Sequence, residues 1–324
     1  MPAQKNLFDI QEPPVVLLLG GTGQLGFELK RSLAPLARIE APTRKELDLS
    51  ELQAVRDYLR SLKPVAVVNA AAYTAVDLAE SEPKAADVLN RQLPQILAEE
   101  VEQQHSLLIH YSTDYVFDGR NPEPYTEAHP VSPINEYGRS KAAGEAGIQN
   151  ATNRYIILRT SWVLGAYGHN FMRTILKLAS TRSELRVVGD QMGAPTSAPL
   201  IADCTAHIWR TYWLHKQIRT GSTLSEKRNI ADPFPFGLYH LTSSGYTDWH
   251  ELACHIVMSV RQKGVQLMLE PKNIQRIRTA EYPTPALRPA NSRLHTQLLQ
   301  STFQIQLPSW RTGVDYLLDL IAMK

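Results

Sequence analysis

The run Val15-Val-Leu-Leu-Leu-Gly-Gly-Thr-Gly-Gln-Leu-Gly26 decides the fold of this chain. An apolar run that ends in glycine is typical of a strand buried in a parallel sheet. From Gly23 to Leu33 the leucines recur at helical spacing, which predicts a helix directly after the strand. A strand, a glycine-rich turn and a helix in this order indicate a dinucleotide-binding unit.

Three glycines of this turn have separate predicted tasks. Gly20 permits the tight turn, Gly23 lets the backbone approach a pyrophosphate, and Gly26 allows close packing of helix on sheet. The unpaired N–H groups at the start of the helix then bind the phosphates. A purely structural glycine turn is the alternative, but its place after the first strand of an alternating chain favours dinucleotide binding.

Strands and helices continue to alternate downstream at intervals of roughly 25–40 residues, which predicts an α/β fold with a doubly wound parallel sheet of Rossmann type. Ser50 is the expected N-cap of the second helix. The predicted strands are 15–19, 38–41, 65–68, 106–111 and 155–158, and the predicted helices are 23–33, 50–62, 83–104 and one that begins near Asn135.

Beyond about Ser161 the alternation loosens, and this part of the chain is expected to form a smaller α/β substrate lobe interleaved with the first domain. A strand at 237–241 is expected to rejoin the first sheet, after a surface loop at 220–236. The expected organisation is a flexible extension at 1–14, a dinucleotide-binding domain at 15–165 rejoined by about 200–242, and a substrate lobe at 166–199 and 243–324 with helices at 170–180, 198–214 and 249–263.

The composition excludes several classes of protein. A formal net charge of +2 over 324 residues argues against a nucleic-acid surface, which would carry basic stripes. Two cysteines, Cys204 and Cys254, cannot build a disulfide framework and fit a reducing compartment. No apolar run approaches the ~18 residues of a membrane span, and the first fourteen residues lack the apolar core of a secretion signal. A cytoplasmic protein is therefore expected.

Tyr137 and Lys141 are the strongest candidate catalytic pair. Residues four apart share one face of a helix, so the Lys141 charge is expected near the Tyr137 oxygen. A nearby cation favours phenolate and lowers the pKa of the tyrosine toward working pH, where it exchanges protons efficiently. The spacing alone is a weak signal, because it recurs at Tyr212 and Lys216. What distinguishes Tyr137 is its position downstream of the nucleotide loop and of Ser112-Thr113.

Thr113 is expected to share a crevice with this pair. It lies at the end of the fourth strand, and ligands of open parallel sheets bind outside the carboxyl ends of the strands. A hydroxyl, a phenol and an ammonium that converge on one carbonyl oxygen suit hydride transfer, with Tyr137 as the proton donor. The alternatives are a helix cap or turn for Thr113 and a surface tyrosine for Tyr137.

The type of nicotinamide cofactor stays open between NADPH and NADH. Glu40 lies about where a carboxylate would hold a ribose 2′-OH, but Arg44 and Lys45 follow and favour a 2′-phosphate, and hence NADPH. Asp48 and Leu49 lie where a loop reaches the adenine. The small residues of Asn69–Ala72 would let the cofactor lie against the backbone, although helix–sheet packing alone also explains them.

The chain resembles the extended short-chain dehydrogenase/reductases and, within them, the dTDP-4-dehydrorhamnose reductases. The resemblance runs from about Val15 to the C-terminus. The glycine loop and Tyr137–Lys141 belong to the whole superfamily, whereas Arg159-Thr-Ser-Trp162, Gly193-Ala-Pro-Thr196 and Arg288-Pro-Ala-Asn-Ser-Arg-Leu294 are narrower. Asn69–Asp77 and Tyr111–Asp118 also match.

The resemblance implies reduction of the 4-keto group of dTDP-4-dehydro-β-L-rhamnose by NAD(P)H, the last step to dTDP-L-rhamnose, a precursor of cell-surface polysaccharide. It implies that Tyr137 donates the proton, that Lys141 holds the nicotinamide ribose, and that Thr113 orients the keto oxygen. It further implies cofactor contacts by Gly23, Gln24, Leu25, Asp48, Leu49, Ala72, Tyr73 and Thr74, and sugar-nucleotide contacts by Thr113, Asp114, Trp162, Arg288 and Asn291.

Several of these substrate contacts have alternatives. Trp162 offers a flat apolar face to a sugar ring, but it equally suits core packing. Arg288 and Arg293 suit a forked contact with a diphosphate, or surface ion pairs. Val163-Leu164 is aliphatic where relatives often have an aromatic, so the sugar pocket is expected to differ in shape. Some relatives are metal-linked dimers, so a homodimer is possible here. Glu28 has no obvious partners with which to bind a metal, so a metal requirement is doubtful.

Two further functions remain open at this stage. An epimerase or dehydratase of the same superfamily would keep the fold and recycle a permanently held cofactor. A regulatory subunit of methionine adenosyltransferase would bind dinucleotide and act through partner contact, and that branch also carries Tyr-x-x-x-Lys. The Arg159–Trp162 and Arg288–Leu294 runs favour the reductase. Oligomeric state, nicotinamide preference and tolerance for related deoxy sugars do not follow from the sequence.

Overall fold

A computed structural model describes residues 12–221 and 234–322, and its centre is a six-stranded parallel sheet. The strands lie in the order β10-β5-β4-β3-β1-β2, as expected for a doubly wound sheet. They are β1 (Val15–Leu19), β2 (Arg38–Glu40), β3 (Ala66–Asn69), β4 (Leu107–Thr113), β5 (Tyr155–Thr160) and β10 (Gly237–His240).

Helices cover both faces of this sheet, which is why its central strands are apolar on both sides. On one face, Val16, Leu18 and Ile109 pack with the helix of residues 198–221. On the other face, Leu17, Val67 and Leu108 pack with the helix of residues 93–104. The helices of this half are α1 (Gln24–Leu33), α2 (Leu52–Leu62), α3 (Val76–Ala79), α4 (Pro83–Asp87), α5 (Leu93–Gln104), α6 (Glu136–Ala151) and α8 (Ala198–Gly221).

The predicted return of the chain to the first sheet is confirmed. β10 pairs in parallel with β5, so that His240 lies opposite Arg159. The intervening loop was predicted at 220–236, and residues 222–233 of it lie outside the described residues, as does most of the predicted extension at 1–14.

The second half contains a separate apolar cluster and only short pieces of sheet. Its two-stranded pairs are β6 with β9, β8 with β11, and β7 with β12. The elements are β6 (Val163–Leu164), α7 (Phe171–Ala179), β7 (Leu185–Val188), β8 (Met192–Gly193), β9 (Thr196–Ser197), β11 (Thr247–Asp248), α9 (Trp249–Gln262), β12 (Ile274–Ile277), α10 (Gln297–Phe303) and α11 (Trp310–Ala322). The domain boundaries stay a prediction.

Two local predictions are wrong. Ser50 does not cap α2, because its N–H and hydroxyl both bond to the Asp48 carboxylate, and the helix begins at Leu52. The helix predicted over 83–104 is interrupted by a π-helical turn at Val88–Gln92. Such turns frequently occur at functional sites, and this one carries Asn90 into the centre of the molecule.

None of the helices in residues 12–221 and 234–322 is both long and apolar enough to cross a bilayer.

Candidate active site

A cavity of about 470 Å³ opens at the carboxyl ends of β1, β3, β4 and β5. This main cavity brings together residues that lie up to 143 positions apart in the chain, from Gly20 to Val163. Of the predicted site residues, those that line it are Gly20, Gly23, Gln24, Leu25, Asp48, Leu49, Ala72, Thr74, Tyr137 and Lys141. Those that do not line it are Gly26, Tyr73, Thr113, Asp114, Trp162, Arg288 and Asn291.

The glycine turn forms one end of the main cavity, and two of its glycines have no room for a side chain. Gly20 has φ of +77°, and an added Cβ would lie 2.6 Å from the Ala71 nitrogen. A Cβ at Gly26 would lie 2.1 Å from the Gly20 oxygen, so Gly26 lets α1 pack closely on the glycine turn, whereas its role in packing helix on sheet stays a prediction. No side chain caps the N-terminus of α1, which leaves its first N–H groups available to an anion.

The segment after β3 forms the opposite wall and is held by Asn90. The Asn90 amide accepts a hydrogen bond from the Tyr73 nitrogen at 2.9 Å and donates to the Tyr73 oxygen at 3.0 Å. It also donates to the Ser140 hydroxyl on α6 at 3.0 Å. The Tyr73 hydroxyl itself points away, to Glu82 at 2.6 Å. The π-helical turn therefore fixes Ala72–Thr74 through their backbone.

Asp48 lies at the far end of the main cavity. It accepts hydrogen bonds from the Ser50 nitrogen at 3.0 Å and hydroxyl at 2.7 Å, which lower the pKa of its carboxyl. Arg44 also lines this end, with its Nε 3.5 Å from an Asp48 oxygen. Basic and acidic groups thus both occupy the end where the adenine ribose is expected.

Tyr137 lies in the first turn of α6, where Asn135 caps the helix by accepting a hydrogen bond from the Gly138 nitrogen at 2.7 Å. Burial raises the pKa of Tyr137 to about 12, while the Thr113 side chain pulls in the opposite direction. The prediction that Lys141 lowers this pKa is wrong for this arrangement, because the Lys141 ammonium is directed elsewhere. Tyr137 is a protonated phenol at neutral pH.

Lys141 points into the main cavity from the next turn of α6 and is almost fully buried. Its Nζ donates to the Tyr111 oxygen at 2.6 Å and lies 3.2 Å from Nε2 of His110. Burial lowers the pKa of Lys141 to about 8. The charge of this lysine is therefore sensitive to pH just above neutrality.

His110 was not singled out in the sequence, because its contacts come from three separate elements. It is fully buried on β4, with Nδ1 3.1 Å from the Asn69 amide nitrogen and Nε2 against Lys141. Burial and the Lys141 charge hold the pKa of His110 well below its ordinary value, so the ring is neutral. A histidine directly after the apolar run Leu107–Ile109 of a buried strand was the available signal.

An ion pair fixes α6 against the sheet behind these residues. The Arg159 guanidinium on β5 donates to both oxygens of Glu145, at 2.9 and 2.6 Å, and both side chains are only 4% exposed. A buried pair of this kind holds its elements firmly, since removing one partner leaves an uncompensated charge. The orientation of Tyr137 and Lys141 depends on the same helix.

Thr113 and Asp114 lie beside Tyr137, just outside the main cavity. The Thr113 hydroxyl donates to an Asp114 oxygen at 3.0 Å and accepts from the Tyr115 nitrogen at 3.2 Å. Burial raises the pKa of Asp114 to about 6. The second Asp114 oxygen has no hydrogen-bond partner among the described residues. A buried carboxylate oxygen without a partner can accept a hydrogen bond from a hydroxyl of a ligand.

Trp162 is packed against a second indole. Its ring stacks on that of Trp249 with centroids 3.5 Å apart and an angle of 10° between planes. It has φ of +47°, a conformation that costs free energy in a residue other than glycine and tends to occur at functional sites. A Cβ at Gly193 would lie 2.4 Å from this ring. Trp249 was missed because no local pattern connects it to Trp162.

Arg288 and Asn291, which are predicted to contact the sugar nucleotide, form bonds with other groups of the protein. Arg288 forms an ion pair with Asp77 at 2.8 Å. The amide of Asn291 donates to the oxygens of Asn121 and Glu123 and accepts from Arg293. Since its side-chain amide is occupied by these bonds, Asn291 positions the loops here, and its contact with substrate stays a prediction.

Within the described ranges, no three histidine, cysteine, aspartate or glutamate side chains are arranged to hold a metal ion. Glu28, which had no evident partner in the sequence, pairs with Arg31 at 2.9 Å. The expectation that the protein does not require a metal stays a prediction.

Comparison with known sequences gives a consistent result over nearly the whole chain. The sequence model of the RmlD substrate binding domain matches residues 15–323. The chain is 42% identical to the dTDP-4-dehydrorhamnose reductase of Escherichia coli K12 over 308 residues, which cover 94% of this chain and 97% of the relative. It is 43% identical to that of Salmonella typhimurium over 307 residues, which cover 94% and 96%.

Comparison with solved structures agrees. A dTDP-4-dehydrorhamnose reductase from Bacillus anthracis in complex with NADP superimposes with a TM-score of 0.79 at 32% identity, covering 94% of this chain and 98% of the other. A UDP-glucose 4-epimerase from Thermus thermophilus in complex with NAD has a TM-score of 0.70 at 17% identity, covering 95% and 98%. The second similarity concerns the fold alone.

Proposed function

The chain belongs to the dTDP-4-dehydrorhamnose reductase family, and from this premise we propose how its residues reduce the substrate. The reaction is the NAD(P)H-dependent reduction of the 4-keto group of dTDP-4-dehydro-β-L-rhamnose to dTDP-L-rhamnose. The observation that supports it best is similarity of 42–43% identity over 94% of the chain to reductases of this name. The nucleotide loop, Tyr137 and Lys141 around one cavity are consistent with it.

The residues of the main cavity fit a nicotinamide dinucleotide. Side chains at Gly20 and Gly26 would collide with backbone, so the turn leaves its surface open to a pyrophosphate. Asp48 and Leu49 would contact the adenosine, and the backbone of Ala72–Thr74 would follow the middle of the cofactor. When bound, NAD(P)H supplies the hydride that is added to C4 of the sugar.

Tyr137 would donate the proton that the keto oxygen takes up. Its raised pKa keeps the phenol protonated throughout the physiological range, which is the form that a reduction needs. As negative charge develops on the keto oxygen, that oxygen becomes more basic than a phenolate, so the proton moves from the Tyr137 oxygen to it. Thr113, whose side chain lies beside Tyr137, would orient the same oxygen by turning its O–H from Asp114 to the keto oxygen.

Lys141 would act in two ways. Its ammonium donates to the Tyr111 oxygen and lies in the cavity wall, where the ribose hydroxyls of a bound cofactor would offer alternative acceptors. Its positive charge would also stabilise the Tyr137 phenolate left after proton transfer, because opposite charges interact strongly in a buried site. This requires the ammonium to turn from Tyr111 toward Tyr137 during turnover.

The substrate side is proposed from the resemblance and from geometry together. Trp162 would place an apolar surface against the sugar, with Trp249 fixing its ring. The unpartnered oxygen of Asp114 would accept a hydrogen bond from a sugar hydroxyl. Arg288 would contact the diphosphate. A homodimer and a cytoplasmic location are further parts of the proposal.

The test is consumption of reduced nicotinamide by the purified chain with dTDP-4-dehydrorhamnose, run separately with NADPH and NADH. We expect stoichiometric oxidation and a dTDP-L-rhamnose product. No oxidation with either cofactor would overturn the proposal. Turnover without net loss of reduced cofactor would indicate an epimerase or dehydratase, and dinucleotide binding without turnover would indicate a regulatory subunit.

A further inference from the structure

His110 is a buried histidine that the proposed reaction does not use. It lies on β4 with no exposed surface, and its two ring nitrogens contact the amide nitrogen of Asn69 at 3.1 Å and Nζ of Lys141 at 3.2 Å. Because burial holds its pKa well below the ordinary value, the ring is neutral and carries a single N–H. The partners of the two nitrogens decide which one carries this hydrogen.

Asn69 places the hydrogen on Nε2. The side-chain oxygen of Asn69 accepts a hydrogen bond from the Ala71 nitrogen at 3.2 Å. If the amide were turned over, its NH₂ group would face the Ala71 N–H, so the NH₂ group lies toward His110. An amide NH₂ only donates, and Nδ1 of His110 therefore accepts from it and has no hydrogen. The hydrogen of the ring is on Nε2, which faces Lys141.

This arrangement favours a neutral Lys141. An ammonium has three donors and no acceptor, so a charged lysine sets its own N–H groups against the Nε2–H of His110 at 3.2 Å. A neutral amine has a lone pair that accepts from Nε2–H, and it can still donate to the Tyr111 oxygen at 2.6 Å. The hydrogen bonds from Asn69 through His110 to Tyr111 are all satisfied only when the lysine is neutral.

The other charges around Lys141 largely compensate one another. Glu145, one turn further along α6, favours the ammonium, but Arg159 of β5 binds both of its oxygens. The remaining titratable groups on the elements packed against α6 have partners or effects of their own: the phenol of Tyr111 bonds to Thr205, Arg91 pairs with Asp87, Arg288 pairs with Asp77, and Asp114 acts on Tyr137. In the described part of the chain, His110 is the titratable side chain within hydrogen-bond distance of Nζ.

We propose that His110 is a positioning residue that stabilises the neutral amine of Lys141 in the cofactor-free protein, so that Lys141 takes up a proton from water when a bound cofactor replaces His110 as its partner. Ribose hydroxyls accept hydrogen bonds from an ammonium, and a contact of this kind favours the charged form. The proton gained is then the charge that the proposed reaction uses beside the Tyr137 phenolate. The inference rests on the proposed function only in that the main cavity binds a nicotinamide dinucleotide with a ribose at Lys141.

The test is calorimetric titration of the full chain with NADPH, and separately with NADH, in two buffers of different ionisation enthalpy, which measures the protons taken up per cofactor bound. Half of Lys141 is neutral at pH 8 in the wild type, because burial lowers its pKa to about 8. Binding should therefore take up about half a proton at pH 8, rising toward one proton at pH 9. A phosphate ester is already fully ionised at pH 8, so the cofactor itself takes up none.

His110→Gln presents a side-chain oxygen that can accept from the ammonium where His110 presents an N–H. It should move the uptake curve up by about one pH unit, the equivalent of one hydrogen bond, and leave about 0.1 proton at pH 8. Lys141→Met should abolish the uptake. His250→Gln is the matched control, because His250 bonds to the Ile274 oxygen in the second half of the chain, and it should give the wild-type uptake.

Asn69→Asp is an independent variant that leaves His110 in place and gives a second result if His110→Gln does not fold. Its carboxylate accepts from Nδ1–H and so moves the ring hydrogen away from Nε2, which can then accept from the ammonium. Correlation spectra of ¹⁵N-histidine-labelled protein measure the position of the hydrogen, and the His110 signal is identified by its change in this variant. They should show Nε2–H in the wild type and Nδ1–H in Asn69→Asp, where uptake at pH 8 should be close to zero.

An Nδ1–H ring in the wild type, or binding without proton uptake at pH 8, would overturn the inference. So would equal uptake in the wild type, His110→Gln and Asn69→Asp, since a purely structural histidine changes affinity and not the protons bound. Uptake that persists in Lys141→Met would assign the proton to a different group and refute the role of His110.

The outcome is separate from that of the reductase assay, because binding is measured without sugar nucleotide. If neither cofactor binds, the proposed function fails, and the position of the ring hydrogen still decides whether His110 stabilises a neutral Lys141. If both cofactors bind without proton uptake, the inference fails and the proposed function stands.

Discussion

The two walls of the cleft are built in different ways. The wall proposed to bind the cofactor includes the backbone and small residues of Gly20–Leu25 and Ala70–Ala72, and it encloses an open cavity. The wall proposed to bind the substrate consists of large side chains that already contact one another, with Trp162 on Trp249 and Arg288 on Asp77.

This difference affects what each wall can tolerate. A backbone surface has few alternative conformations, so the cofactor wall is prepared for its ligand before binding. On the other wall, Arg288 must exchange its contact with Asp77 for a contact with substrate, so binding there costs part of the interaction energy. We therefore expect changes on the substrate wall to affect KM for the sugar nucleotide, and changes at the boundary between the walls to affect kcat.

The largest expected effect is at that boundary. Tyr137→Phe should lower kcat by about 10²- to 10⁴-fold, since it removes the proton donor, and should leave NADP⁺ affinity nearly unchanged. Steady-state kinetics and calorimetry measure the two effects. Tyr212→Phe is the matched control, because Tyr212 has the same spacing to a lysine, Lys216, but packs among the aromatic residues of α8. Unchanged turnover in Tyr137→Phe would show that the proton comes from elsewhere.

The contrast between the walls also explains what the sequence could predict. The glycine turn and the apolar strands are local patterns, and the structure reproduces β1 residue for residue and the return of β10 to the sheet. Ser50 does not cap the helix because its own N–H and hydroxyl both donate to the carboxylate of Asp48, two residues earlier. No local pattern marks the π-helical turn, which is stabilised by contacts of Asn90 with Tyr73 and Ser140.

In the candidate site, too, the sequence could predict the short-range motifs but not the contacts between distant parts of the chain. Tyr137, Lys141 and the glycine loop are short-range motifs, and the structure places them around one cavity. His110 and Trp249 have partners that are 31 or more positions away, so only the folded chain reveals them. The pKa of Tyr137 was predicted in the wrong direction because helical spacing gives proximity to Lys141 but says nothing about burial.

On the substrate wall, Arg288 and Asp77 allow a test with opposite signs. If Arg288 binds the diphosphate, Arg288→Met should raise KM for the sugar nucleotide by about 10- to 100-fold, the value of a lost charged hydrogen bond. Asp77→Asn should then lower or preserve KM, because it releases Arg288 from a competing carboxylate. If the pair only joins the two halves of the protein, both variants should raise KM and lower the melting temperature together.

The Lys141 charge should limit the reaction at alkaline pH. Burial lowers the pKa of Lys141 to about 8, so the cation is present below pH 8 and is lost as pH rises through that value. Because kcat/KM reports the free enzyme, it should fall about tenfold per pH unit above pH 8, whereas Tyr137, with a pKa of about 12, stays protonated.

Lys141→Arg checks this assignment, since arginine keeps its charge over the accessible range. The variant should be slower at pH 7, because a guanidinium does not reproduce the position of Nζ between Tyr111 and His110. Its alkaline decline should be absent. An identical decline in wild type and variant would assign it to a different group.

The smallest expected effect concerns Gln24, which connects the nucleotide turn to the start of the second half. Its amide donates to the Val163 oxygen at 3.3 Å and accepts from Asn170 at 3.3 Å, both long hydrogen bonds. Gln24→Ala should weaken cofactor binding by about two- to fivefold, as expected for the loss of about 0.5–1 kcal/mol. Gln53→Ala, on the exposed face of α2, is the control. A loss beyond about tenfold in Gln24→Ala would mean that the cofactor wall depends on this side chain as much as on its backbone, and the distinction between the two walls would then fail.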